Sequence, residues 1–173
     1  MKNNFYFLVL LVGGSLAAMG IDPPNSVWFV EQQQLARHER TESTPLHQAA
    51  YSKCPEEVEA LLKDSNTNVN ARTSGKEGLM PLHLALEDAS WRLSESQCTV
   101  VQLLLNHPKI DVNARSGSGV YPIHLAATSR DSFKLLPLLL ECKGIDVNAR
   151  KNGHTTLFNA VIKDQVDVVR LLL

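Results

Sequence analysis

The strings TPLHQAA at 44–50, MPLHLAL at 80–86, YPIHLAA at 121–127 and TTLFNAV at 155–161 are four variants of one sentence, begun 36, 41 and 34 residues apart. Between them falls a second string, NVNAR at 68–72, DVNAR at 111–115 and DVNAR at 146–150. A third sits midway, as VEALL at 58–62, VVQLLL at 100–105, LLPLLLE at 135–141 and VVRLLL at 168–173. Constant order at a period of a few tens of residues marks one supersecondary unit repeated four times. A unit of that size cannot bury both of its faces alone, so neighbours must stack.

The unit reads as two helices and a turn. Pro45, Pro81 and Pro122 open the first helix of their copies, where a fixed φ helps and the missing N–H is not needed. Thr44 is a good N-cap. Leu46, Ala49 and Ala50 recur as Leu82, Ala85 and Leu86 and as Ile123, Ala126 and Ala127, at the three- and four-residue spacing of a buried helix face. The second helix carries larger apolar residues at the same period: Val58-Leu61-Leu62, Val101-Leu104-Leu105, Leu136-Leu139-Leu140 and Val169-Leu172-Leu173. Turns bearing Gly75, Gly78, Gly117, Gly119 and Gly153 then reverse the chain.

These strings resemble the ankyrin repeat, whose pattern runs DxxGxTPLHxAA, then a second helix ending in LL, then a VNA turn. The resemblance covers residues 42–173, about three quarters of the chain, and implies an all-α solenoid of stacked helix-turn-helix units with hairpin-like turns. The repeats fall at about 42–74, 75–117, 118–152 and 153–173. Repeat three fits best, with Tyr121 for the usual Thr. Repeat two has Met80 there, two extra residues in its turn, and seven residues inserted around Ser90 to Gln97. Repeat four replaces the motif's Pro and His by Thr156 and Phe158. It stops at Leu171-Leu172-Leu173, core positions with no capping motif, so either the sequence is a fragment or that end is covered.

Residues 1–20 have the layout of a secretory signal: Lys2, an apolar run from Phe5 to Val12, then Gly13-Gly14-Ser15 and small residues. Cleavage after Ala17 or after Gly20 fits equally. No Cys follows to carry a lipid anchor. An uncleaved anchor over residues 5–19 is the alternative, though 15 residues fall short of the ~20 that span a bilayer. After cleavage no stable membrane insertion is expected, and the chain is secreted or periplasmic. Residues 21–41 form a linker, Pro23-Pro24-Asn25, and a capping helix begun by Ser26, with Val27, Val30 and Leu35 toward repeat one. That helix could instead bind a partner.

Composition narrows the function. Seventeen Lys and Arg against eighteen Asp and Glu leave a net charge of −1, or −2 without Lys2, which excludes a polycationic surface for nucleic acid. Aromatic content of 6% argues against base-stacking platforms. His47, His83 and His124 suggest a metal, but they occupy one identical repeat position, where the resemblance implies a hydrogen bond to backbone between repeats. No second ligand lies three or four residues away, and His38, His107 and His154 are scattered, so no metal or cofactor is expected. Cys54 and Cys98 precede second helices and Cys142 follows one; free thiols are expected, with a Cys54–Cys98 bridge as the alternative in an oxidising compartment. No nucleophile elbow or phosphate loop is present, and Glu56, Glu57 and Glu59 read as solvated charges at a helix start. The chain is not read as an enzyme. Asn70, Asn113 and Asn148 correspond to the family's turn-stabilising side chains.

What remains is a surface. Turn tips and the outward positions of the first helices form one wall of a solenoid. Arg72, Arg115 and Arg150 stand there in register, with Lys76 and Lys151 at the tips. The first-helix row adds Leu84, Glu87, Asp88, Leu125, Thr128 and Asn159, and Trp91 in the insertion is the aromatic anchor. Aligned arginines suit carboxylates of a partner. The expected function is therefore non-enzymatic binding of another protein. The alternative is an assembly piece that continues, or self-associates, through repeat four.

Overall fold

The structure, a computed structural model, describes residues 43–87, 94–129 and 132–173. The expected leader, the linker and capping helix, Asp88 and Trp91 all lie outside the described residues. Eight helices fall in four pairs among those described: α1 (Pro45–Tyr51) with α2 (Pro55–Leu62), α3 (Pro81–Leu86) with α4 (Ser94–Leu105), α5 (Pro122–Thr128) with α6 (Ser132–Leu140), and α7 (Thr156–Ile162) with α8 (Val166–Leu172). Two short antiparallel strands, β1 (Arg150–Lys151) and β2 (His154–Thr155), pair Arg150 with Thr155. Their loop, Asn152-Gly153, has φ of 52° and 83°, the two positive values that a tight right-twisted hairpin requires.

The first helices α1, α3, α5 and α7 pack one on the next as one layer, and α2, α4, α6 and α8 follow the same order as a second. The all-α solenoid expected from the repeats is the architecture found. Small residues set the first layer's spacing: Ala49, Ala50, Ala85, Ala126 and Ala160 are all buried where helices approach. Leu46, Leu82 and Ile123 fill the space between layers, each burial worth about 1.5–3 kcal/mol.

The second-layer stripe differs from expectation at both ends. Val58, Val101, Leu104, Leu136 and Leu139 are buried, and the third position, Leu105 or Leu140, is half-buried on the inner helices. At the ends the second position is half-buried too, as Leu61 and Leu172, and the third is half-buried as Leu62 or 91% exposed as Leu173. Among the described residues α2 and α8 have a second-layer neighbour on one side only, so half their stripe lacks cover. Val168, rather than Val169, takes the central place on α8.

Pro45, Pro81 and Pro122 each open a helix, as their position predicts. The insertion resolves differently from expectation. α4 has 12 residues against 8 in α2, so four of the seven extra residues, Ser94–Gln97, become one more helical turn. Cys98 therefore lies inside α4 rather than before it. The new turn holds the fold together locally, because Gln97 Nε2 donates to Ala85 O at 3.0 Å. From the preceding repeat the buried Lys53 donates to Leu84 O at 2.5 Å and Ala85 O at 2.8 Å. A cation on the last carbonyls of a helix also meets the negative end of its dipole.

Candidate functional site

Two hydrogen-bond ladders fix the wall on which the sequence places its binding residues. In the first, backbone N–H groups of Thr44, Met80 and Tyr121 donate to Nδ1 of His47, His83 and His124 at 3.1, 3.4 and 3.3 Å. A backbone amide can only donate, so Nδ1 accepts and the ring proton sits on Nε2. From there His47 donates to Leu79 O at 3.1 Å and His83 to Val120 O at 3.2 Å, each in the next repeat. The histidines are thus structural, as the resemblance implies. Burial holds the His83 ring below its ordinary proton affinity, against the Val120 carbonyl, which raises it. Burial lowers His124 in the same way, and the nearby Lys151 charge lowers it further.

His124 breaks the pattern. The carbonyls of Ala149 and His154 lie close enough to favour its proton, yet its Nε2 has no hydrogen-bond partner among the described residues. In the second ladder Asn70 bridges to Lys109 O at 2.6 Å and Asp111 N at 3.0 Å. Asn113 repeats this one unit on, to Gly144 O at 2.7 Å and Asp146 N at 2.8 Å. The turn tips also touch: Gly117 N donates to Glu77 O at 2.6 Å, and a Cβ at Gly117 would run into the backbone of Lys76 and Glu77.

The predicted wall residues separate into three groups. Arg72, Lys76, Arg115 and Arg150 are exposed in register, but Arg72 and Arg150 turn back to donate to Gly78 O and Gly153 O, both at 3.2 Å. Their guanidinium groups brace their own turns and keep other N–H donors outward. Leu125, Thr128, Lys151 and Asn159 converge, from α5, β1 and α7, on one cavity of about 270 Å³. Leu84 is the correction: the row assigned it to the outer wall, and it is 1% exposed. The last turn of α3 is enclosed by Lys53 from one side and Gln97 from the other, and an apolar side chain there is drawn inward. Glu87 is half-buried beside it.

Sequence reading missed what makes the cavity polar. His154, Thr156, Lys163 and Gln165 also line it, and Thr156 is 2% exposed with its Oγ1 unpartnered among the described residues. The signal was present: Thr156 stands where the other three copies have Pro. Phe158, in place of the repeat histidine, stacks on His154 with ring centroids 4.4 Å apart, so the fourth rung of the ladder is aromatic. Cys54, Cys98 and Cys142 form no disulfide among the described residues, and burial pushes the Cys142 thiol up. No group of three metal-ligating side chains converges among the described residues, and no helix among them is long and apolar enough to cross a membrane.

Comparison with known proteins agrees with this geometry. The family model described as ankyrin repeats (3 copies) matches residues 16–116 and 89–173. The chain is 37% identical over 134 residues to the chicken nuclear factor NF-kappa-B p105 subunit, covering 75% of this chain and 12% of that protein. It is 31% identical to human Rabankyrin-5, covering 78% and 11%, and 26% identical to the mouse B-cell lymphoma 3 protein homolog, covering 86% and 32%. The chain thus spans a third or less of the length of these relatives. Ankyrin repeats generally mediate protein–protein interaction and are typically not enzymes. With its matching stack, its histidine and asparagine ladders and these relatives, the chain belongs to the ankyrin-repeat family.

Proposed function

We propose that this chain is a non-enzymatic module that binds a partner protein through the face formed by α1, α3, α5, α7 and the turn tips. The observation that carries the reading is the convergence of Leu125, Thr128, Lys151 and Asn159, from two repeats, on one cavity of that face. The scaffold beneath is rigid by the two ladders, so the face is presented with little ordering cost. A photo-crosslinking residue at Leu125 is expected to capture a partner in the native host, and one at Phe133, 57% exposed on the second layer, is not. Capture at Phe133 alone would move the interface to the other layer.

Export belongs to the same reading and is supported by the layout of residues 1–20. A mature N-terminus at Ala18 or Ile21 is expected, and an intact Met1 in the cytosol would reject it. A second reading, an assembly piece, draws on Val161, Ile162 and Val166, exposed at 60%, 67% and 52%, and on Asn148, whose amide makes no bond of the kind Asn70 and Asn113 make. Sedimentation showing a dimer that a polar extension after Leu173 abolishes would favour that reading.

A further inference from the structure

Both ladders stop before repeat four. Asn70 and Asn113 tie repeat one to two and repeat two to three, each through a carbonyl and an amide, and His47 and His83 tie the same pairs through Leu79 O and Val120 O. In repeat three Asn148 has the same local turn, with its N–H on Asp146 Oδ1 at 2.9 Å, but its side-chain amide makes no such bond among the described residues. The carbonyls of Ala149 and His154 stand near the His124 ring without closing a hydrogen bond to Nε2. The pairing of β1 with β2 does span this junction, but it joins neighbours along the chain, Arg150 with Thr155 and Lys151 with His154, and does not tie helix to helix.

Packing does not compensate. α5 and α6 fully bury Ile123, Ala126, Ala127, Leu135, Leu136 and Leu139, whereas the apolar side chains that α7 and α8 fully bury are Ala160 and Val168. Thr156, also buried, leaves its Oγ1 unpartnered among the described residues, which costs the docked state. In a repeat stack stability is a sum over units and their junctions, so a unit with little burial and a junction without ladders opens at the lowest free energy. α7 and α8 have seven residues each, too few for either to stay helical alone, and they pack on each other, so they leave together. The cavity of the proposed binding face is built across this same junction, with Leu125 and Thr128 from repeat three and Asn159 and Lys163 from repeat four. We propose that repeat four opens and closes as one unit on repeats one to three, hinged at the β1–β2 hairpin, and that the cavity exists only while it is closed. A partner seated across the junction then holds repeat four in place.

The link to a partner rests on the proposed use of this face, and two arms of one experiment separate the claims. Hydrogen exchange is followed by mass spectrometry on the full chain. Without a partner, the amides of α7 and α8 are expected to exchange about tenfold or more faster than those of α5 and α6, after correction for intrinsic rates. V168A alters α8 alone, yet should speed α7 and α8 by one common factor of about tenfold and leave α3 to α6 unmoved. Acceleration confined to α8, or spread over the whole stack, would overturn the unit. For the second arm, peptides are selected from a displayed random library on the full chain and kept where L125Q weakens binding, glutamine being the residue that repeat one carries there as Gln48. At a free concentration of about 100 Kd, a peptide that binds only the closed form slows exchange through opening about a hundredfold, and that slowing is expected in α7 and α8 and not in α3 and α4. Peptides that pass the Leu125 criterion and leave α7 and α8 as fast as before would overturn the link while the face stands. A selection that yields no such peptide would overturn the face and the link together, and the opening of repeat four is decided by the free chain in either case.

Discussion

Replacing His83 by leucine, and comparing it with the same change at His124, tests whether the histidine ladder carries the stack. The His83 ring is fully buried and makes two bonds, from Met80 N–H and to Val120 O. The consequences at the two partners differ. Val120 O also accepts from Ser116 N–H at 2.8 Å, so it loses one bond of two, about 0.5–1.5 kcal/mol. Met80 is 5% exposed and its N–H has no second acceptor among the described residues, so it becomes an orphan at about 1–3 kcal/mol. H83L should therefore cost about 2–4 kcal/mol. At His124 the Nε2 bond is already missing, and the half-buried Tyr121 N–H can turn to water, so H124L should cost about 1 kcal/mol or less. Urea unfolding followed by circular dichroism reads the difference as a gap of about 1 M between the two midpoints at equal m-value. If H124L proved as damaging as H83L, the ladder would not be what the histidines contribute, and their packing alone would explain them.

The pH dependence follows from the same rings. Burial lowers the folded-state proton affinity of His83 and His124 below the ordinary 6.5, so the unfolded chain binds more protons there. Stability is then complete above about pH 6.5 and falls as pH drops from 6.5 toward the folded values, and H83L should flatten that slope; an unchanged slope would reject the assignment. In the asparagine ladder N113A loses two inter-repeat bonds and should cost about 1–2 kcal/mol, whereas N148A, which makes neither, should stay within about 0.5 kcal/mol. Equal effects in thermal unfolding would refute the register. G117A drives a Cβ into the backbone of Lys76 and should cost about 1–3 kcal/mol by overpacking, with loss of the amide-exchange protection of Gly117 N–H; retained protection would show that the turn tips have slack.

How far the molecule could be read from its sequence depends on what each residue answers to. Pro45, Pro81 and Pro122 answer to local backbone geometry, and Leu46, Leu82 and Ile123 to a helical period, so both are visible in a string compared with itself. The turn asparagines are visible for the same reason, since the same residue does the same work one unit later. Leu84 was misplaced because its exposure is decided by Lys53, which reaches α3 from the preceding repeat, and by Gln97 of the insertion, and neither obeys the repeat. The extra turn of α4 was unreadable as helix because a seven-residue insertion has no register of its own until Gln97 finds Ala85 O.

The cavity of the proposed binding face lies where the repeat pattern fails, between repeats three and four, and the failure is physical rather than incidental. At the other junctions Pro at the start of the first helix leaves no hydroxyl to satisfy, and the carbonyl two residues before it takes the preceding histidine's proton: His47 with Leu79, His83 with Val120. Repeat four changes the first element, placing Thr156 where Pro would be, and weakens the second, since the carbonyls of Ala149 and His154 stand near the His124 ring without closing a hydrogen bond to Nε2. Each change alone would simply be a cost of a kcal/mol or so. Together they leave this junction short of a histidine bond that the other junctions make, and the cavity of the proposed binding face, lined by Lys151 and Lys163, opens beside it. A stack needs its repeats alike to be stable, and this one departs from likeness at two places, the insertion of repeat two and the junction before repeat four.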